Sequence, residues 1–255
     1  QASARAIGSG WASTASNAFA GCTGLTSVAI PSTVWAVGSN TFKDCSNLRS
    51  VSWNVADHHQ QDFLGSTIDY VNNLHNGSPF SGCPVEEVTF GSEVDTIPSG
   101  LFYGRGQLSD IRFSGKTIYV GKDAFHGTFW LGSLPQGMVY IDHVAYSYKG
   151  AMATPTAISI VEGTQSVTDG LLAEQTYLTK VTVPSTLAYM GREVFEGCSS
   201  LGEVEWNAED CDLADAPFST TSLYAITFGS SVRKVPSMLC SGCRFLEAVS
   251  FPQNV

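Results

Sequence analysis

Apolar and polar residues alternate along this chain in short runs, and the runs return at a fixed interval. In Leu25-Thr26-Ser27-Val28-Ala29-Ile30 the Val and Ile lie two apart on one face, while Ser27 and Ala29 fall on the other. That is the period of a half-buried strand. Pro31 closes the run, because it has no N–H for a sheet ladder, and Val34 and Val37 before Gly38 supply a second inward pair on the return. The segment Phe19 to Ile30 reads FAGCTGLTSVAI, and 23 residues later Phe42 to Trp53 reads FKDCSNLRSVSW. The same unit starts again at Phe80, Phe102, Phe125, Leu172, Phe195, Phe218 and Cys240, in steps of 22 or 23 residues except where segments intervene, which makes nine copies. Seven of the 14 phenylalanines open a unit and Phe90, Phe113, Phe228 and Phe251 close its strand, so one pattern accounts for most of the aromatic content.

A unit this short cannot bury its own apolar face and must lean on its neighbours, so the repeat predicts a solenoid whose successive runs pair as a parallel sheet. The stretch before each aromatic, Ser39-Asn40-Thr41 or Lys122-Asp123-Ala124, is expected to make a short helical turn that drops the ring into the core. A longer duplication lies over the repeat. Leu25 to Asn54 aligns with Leu178 to Asn207 at 14 of 30 positions, and Pro79 to Phe102 aligns with Pro217 to Cys240 at 11 of 24. The two halves are copies of one another.

Two segments break the period. Between Trp53 and Phe80, Leu64, Ile68, Val71 and His75 fall at helical spacing, with Ser66 or Thr67 placed to cap and Asn76-Gly77 to end the turn, so a helical insertion is expected near 55–78. Between Phe125 and Leu172, Val139-Tyr-Ile and Val144-Ala-Tyr alternate around Asp142-His143, which predicts a β-hairpin insertion over 135–160, although the turn lacks the usual glycine. It is expected to bridge the halves, with Trp130, Tyr140, Tyr146 and Tyr148 packed against them. The organisation is then a first repeat array over 1–134, the hairpin, and a second array over 161–255, forming one continuous solenoid.

The repeated pattern F-x-G-C-x-x-L-x-x-V-x-I-P-x-x-V-x-x-I-G resembles the BspA-type leucine-rich repeat, found in surface proteins of bacteria and some protozoa. The stretches Trp206 to Cys211 and Val139 to Gly150 are similar to elements of gut-bacterial members. Cys240 and Leu172 depart from the pattern by replacing the opening Phe, and the chain starts and stops inside repeats. The resemblance implies a right-handed solenoid of short parallel strands with turns and short helical segments. It also implies a cell-surface or secreted role in adhesion or in binding host proteins, and it points to a fragment of a longer surface protein.

Composition narrows the function classes. Lys+Arg number 13 against 23 Asp+Glu, a formal charge of −10, so the basic footprint that a phosphate backbone requires is missing and nucleic acid is not an expected partner. No apolar run is long enough to insert in a bilayer. Seven cysteines, Cys22, Cys45, Cys83, Cys198, Cys211, Cys240 and Cys243, are spread too thinly for a disulfide framework. Four of them stand three residues after a phenylalanine, and these are expected to be buried free thiols that pack as small hydrophobes. Cys240-Ser-Gly-Cys243 has redox or zinc spacing, yet its cysteines occupy the Phe and thiol positions of an ordinary unit, so it is expected to be a packed pair.

Other motifs weigh against catalysis. Gly115-Lys116-Thr117 resembles the end of a phosphate loop, but Asp110 stands where that loop needs glycine. His58, His59 and His75 with Asp57 and Asp62 form a polar cluster in the first insertion, and Glu209, Asp210, Asp212 and Asp215 an acidic loop without the glycine and terminal glutamate of a calcium hand. Neither is expected to hold a metal, and no cofactor is expected.

What remains is the outward strand face, a broad wettable sheet of hydroxyls and both charge signs. Its expected ligand-binding residues are Arg49, Ser52, Glu87, Thr89, Asp110, Arg112, Lys180, Glu203 and Glu205. The reading is a non-catalytic module for adhesion or for binding host proteins or glycans. The alternatives are spacer repeats with no ligand of their own and an enzyme with a metal site in an insertion.

Overall fold

The computed structural model describes residues 5–6, 13–55 and 77–252, so the expected helix near 55–78 and the His58, His59 and His75 cluster lie outside the described residues. The chain divides into two compact units, 1–134 and 135–255. In the first, Arg5–Ala6, Ser27–Ile30, Ser50–Trp53, Glu87–Phe90 and Asp110–Arg112 pair in that order as one parallel sheet. Ser13–Thr14 with Ala36–Val37, and Thr96–Ile97 with Tyr119–Val120, make short parallel pairs from the return segments. In the second unit Thr156–Ser159, Leu178–Val183, Glu203–Trp206, Ala225–Phe228 and Ala248–Ser250 form the corresponding parallel sheet. Each unit is thus a stack of coils, a parallel-strand β-solenoid with almost no helix among the described residues.

Strand register turns the repeat into columns. Val28, Val51 and Val88 stand in register and are all buried, as are Val181, Val204 and Ile226. Between the strands the aromatic turns stack ring on ring. Phe19, Phe42, Phe80, Phe102 and Phe125 follow one another at centroid distances of 5.3, 5.6, 5.1 and 6.0 Å with nearly parallel planes. Phe195 and Phe218 repeat the contact at 5.1 Å. Each such pair adds about 0.5–1.5 kcal/mol to the burial of the ring itself. Trp53 and Trp206, the duplicated strand ends, set their indoles edge-on to Phe80 and Phe218.

The turn before each aromatic differs from the expected helical one. Its backbone donors alternate in direction. Ala18, Ala20 and Cys22 donate three residues back within their own coil, whereas Asn17, Phe19 and Gly21 donate to Ser39, Thr41 and Lys43 of the next coil. Gly100, Phe102 and Gly104 repeat the pattern toward Lys122, Ala124 and His126, as do Gly170, Leu172 and Glu174 toward Arg192, Val194 and Glu196. Left-handed residues two before and two after the aromatic, such as Asn17 and Gly21 or Gly100 and Gly104, create the alternation. A helix would point every N–H along one axis and leave the next coil unbonded. The one helix among the described residues is Phe129–Ser133, capped by Thr128, whose hydroxyl accepts from the Leu131 N–H.

The hairpin forms from Gly137–Ile141 and Val144–Lys149, antiparallel, with a bulge between Val139 and Tyr140. Asp142 takes the left-handed conformation in place of the missing glycine. Its second strand pairs in parallel with Ser166–Val167, which pairs with Tyr189–Met190 and then Asp212–Leu213, so the hairpin belongs to the return-side sheet of the second unit. Tyr146 is buried, and Tyr140 and Tyr148 pack on the core of that unit, while Trp130 packs on Phe113 and Phe125 of the first. Thr156–Ser159, within the segment assigned to the hairpin, is already a strand of the repeat sheet.

The strand-end asparagines explain the glycine that follows the next strand. Asn54 and Asn207 each donate Nδ2 to a carbonyl of the preceding coil, Ile30 and Val183, at 3.0 Å. This fixes their Oδ1 against Gly91 and Gly229, where a Cβ would lie 2.3 and 2.0 Å away. Gly91→Ala is therefore expected to destabilise the first unit by about 1–3 kcal/mol, and by clearly less in an Asn54→Ala background. Urea denaturation of the two single variants and the double variant checks this, strictly additive effects ruling out the contact as the cause.

Candidate functional site

The pleat places alternate residues of each long strand outside, and the parallel register aligns them in rows. In the first unit one row runs Ser27, Ser50, Glu87, Asp110 and the next Ala29, Ser52, Thr89, Arg112. Arg49 and Glu86 precede these strands and pair at 3.0 Å, and Arg112 Nη2 lies 3.3 Å from Asp110 Oδ2. In the second unit one row runs Lys180, Glu203, Ala225, Ala248 and the next Thr182, Glu205, Thr227, Ser250. Lys180 Nζ is 3.8 Å from Glu205 Oε2, to which the Thr182 hydroxyl donates at 3.4 Å. Tyr224 donates its hydroxyl to Glu203 Oε1 at 2.7 Å, and that bond to a carboxylate, ahead of a small burial effect, raises its pKa. The nine sequence-derived residues therefore form two groups. Arg49, Ser52, Glu87, Thr89, Asp110 and Arg112 share the face of the first unit, and Lys180, Glu203 and Glu205 share that of the second.

The other candidates serve the fold. Lys116 of the Gly115-Lys116-Thr117 stretch reaches Glu93 at 3.2 Å. In the acidic loop, Glu209 and Asp210 pair with Arg233 and Lys234 of the next coil at 2.6 and 3.2 Å, and Asp215 Oδ2 accepts the Glu193 N–H. Among the described residues no three His, Cys, Asp or Glu side chains gather as a metal site.

The cysteine position does more than pack. Cys45, Cys83, Cys198 and Cys243 each donate Sγ–H to the carbonyl of the residue that opens the preceding unit, Phe19, Phe42, Leu172 and Phe218, at 2.9 to 3.5 Å. Arg105 stands at the same position three residues after Phe102, and its Nη1 donates to the Phe80 carbonyl at 2.5 Å. In these five units the slot carries a donor directed one coil back, which the sequence pattern alone did not reveal, whereas Thr128 and Thr221 at the same position donate to Phe125 and Phe218 of their own coil. The presence of Arg105 in a cysteine register was its available signal. Cys22 departs from the expected burial: it is exposed, because no described coil covers that side of the Phe19 turn. Cys240 and Cys243 are half-buried.

A family model, that of the BspA type leucine rich repeat region, matches residues 12–153 and 141–255 with six copies. The chain belongs to the BspA-type leucine-rich repeat family. Among solved structures, this BspA-type chain is similar to a leucine-rich cell surface protein from Faecalibacterium prausnitzii, at 18% identity and TM-score 0.32, over 94% of this chain and 83% of that one. A leucine-rich repeat protein from Eubacterium ventriosum is 20% identical with TM-score 0.35, over 96% of this chain and 64% of that one. A third, from Bacteroides ovatus, is 18% identical with TM-score 0.33, over 94% and 76%. No curated protein matches the chain.

Burial pushes the thiols of Cys83 and Cys198 up to about 11 from an ordinary 9.0. The folded chain then holds these protons to higher pH than the unfolded chain does, so their contribution to stability is complete below about pH 9 and lost as pH rises through about 11. The urea midpoint is expected to fall across that window, and to fall less steeply in a Cys83→Ala, Cys198→Ala variant. Equal slopes for the two proteins would show that these thiols do not carry the effect.

Proposed function

We propose that this BspA-type repeat chain is a non-catalytic binding module, displayed at a cell surface or secreted, that recognises a protein or glycan ligand through the outward strand face. The observation that carries the reading is the pair of in-register rows on each unit's parallel sheet. Hydroxyls, carboxylates and cations stand at the spacing of neighbouring strands, about 4.8 Å, over a broad surface, which suits an extended partner. Family membership supports adhesion and a surface location. No helix among the described residues is long and apolar enough to cross a membrane, and the formal charge of −10 disfavours nucleic acid.

A second reading is favoured by the ion pairs. Arg49, Arg112 and Lys180 each lie within 4 Å of a carboxylate on the same face, and a face whose cations are already paired suits a spacer that holds another domain at a distance.

The two readings separate on an array of host extracellular proteins and oligosaccharides probed with the purified chain. The binding reading expects saturable capture of at least one ligand, its affinity changed about tenfold, in the direction the ligand's charge sets, by Arg112→Glu or Lys180→Glu. Affinity unchanged in both variants moves the site off the strand face, and no saturable ligand leaves the spacer.

A further inference from the structure

The outward face of the second unit changes height along its stack. Successive coils present Lys180 with Thr182, Glu203 with Glu205, Ala225 with Thr227, and Ala248 with Ser250. The two glutamates make a wall, and the coils beyond them drop to small side chains. At this step lies a shallow depression of about 160 Å³ lined by Lys180, Glu203, Val204, Glu205, Ala225 and Thr227. One wall residue is held in place from below. The Tyr224 ring lies across Gly202, where a Cβ would come within 2.4 Å of Tyr224 Cε1, and its hydroxyl anchors Glu203 Oε1. Glu205 shares its charge with Lys180 on the side away from the small-residue floor. Glu203 has a neutral hydroxyl as its partner and no ion pair among the described residues.

We propose that this depression receives an arginine or lysine side chain from a basic protein segment, its aliphatic stem on Ala225 and Thr227 and its charged head against Glu203 and Glu205. Three features favour that occupant. The wall carries two carboxylates against one lysine, and the whole chain is acidic, 13 cations against 23 anions, so the local and long-range fields both attract a cation. The floor of a methyl and a threonine matches a methylene stem and offers little to a polyhydroxylated ring. The two carboxylates stand two residues apart on one strand face, so a guanidinium or ammonium head meets more than one acceptor for its charge-assisted hydrogen bonds. The proposal rests on the strand-face reading and narrows it to one partner chemistry.

Fluorescence anisotropy with a labelled peptide of alternating arginine and serine tests it on the full chain. Binding is expected to weaken about tenfold in Glu203→Gln, Glu205→Gln and to vanish in Ala225→Arg, which fills the floor with its own cation. Glu174→Gln, Glu196→Gln, in the aromatic turns of the second unit and off the strand face, removes the same charge and is expected to leave binding nearly unchanged. All three sites are on exposed or half-exposed positions, and circular dichroism of each variant confirms that the fold persists. Equal weakening by both charge-neutralised variants would reduce the effect to overall acidity and overturn the site. Absence of saturable peptide binding overturns the cationic occupant as well. A chito-oligosaccharide that binds, and is lost in Ala225→Arg but not in Glu203→Gln, Glu205→Gln, also overturns it while leaving the strand-face reading intact. That broader reading fails separately, through indifference of an array ligand to Arg112→Glu and Lys180→Glu.

Discussion

The stack depends on backbone donors at the aromatic turn finding acceptors one coil away. A buried N–H without a partner costs about as much as the folding gain of several good contacts, and only every second N–H of the turn meets a carbonyl of its own coil. The alternation of left- and right-handed residues around Phe19 or Phe102 solves this by sending every second N–H across the gap, with Phe19 N to Thr41 O at 2.7 Å and Phe102 N to Ala124 O at 2.8 Å. Once these bonds fix the distance and register between coils, ring-on-ring stacking and the valine columns follow. The first insertion shows how strict the requirement is. Phe42 and Phe80 are separated by far more than one repeat in sequence, yet Phe42 N still donates to Pro79 O at 2.8 Å and the rings stack at 5.6 Å. Extra chain is admitted after the strand and excluded from the turn.

The same geometry separates what must stay from what is free to vary. Inward positions are held apolar by the column above and below, as Val28, Val51 and Val88 are in one column and Ile30, Trp53 and Phe90 in the next. Outward positions meet only their lateral neighbours. At the position just before the strand, Arg49 in one coil faces Glu86 in the next, whereas Gly202 faces Tyr224, and both pairs fit the same backbone. A surface with this freedom acquires local relief, such as the drop from Glu203 and Glu205 to Ala225 and Thr227, without disturbing the core beneath.

The spacing of Phe, Val and Leu made the coils, their strands and their inward faces legible in the sequence, because a period of 22 or 23 residues over nine copies leaves few other ways to bury those side chains. The outward rows followed from the period of two. Two kinds of feature stayed hidden. The aromatic turn looks helical in the sequence, since Asn40, Asp123 and Glu193 are compatible with helix ends and nothing in the residue pattern announces a left-handed conformation at a glutamate. Relations between coils were hidden as well. That Gly202 makes room for Tyr224, or that Arg105 replaces a thiol as donor, depends on which residues meet across the stack, a fact that exists only once the register is set.

The thiols bear on where such a chain can work. Oxidising compartments ordinarily bring disulfides to secreted proteins, and seven cysteines without one, Cys22 and the half-buried Cys240 and Cys243 included, look out of place in a module proposed for the cell surface. The slot they fill resolves much of the conflict. Cys45, Cys83 and Cys198 are buried, and each spends its proton on a carbonyl of the coil behind. Oxidation and exchange proceed through the thiolate, and burial holds Cys83 and Cys198 far from that state, at about 11. Arg105 makes the same contact with a guanidinium, so the bond to the coil behind does not depend on sulfur. A buried free cysteine in this register is consequently no argument for a reducing compartment, and the proposed surface location stands or falls on other grounds.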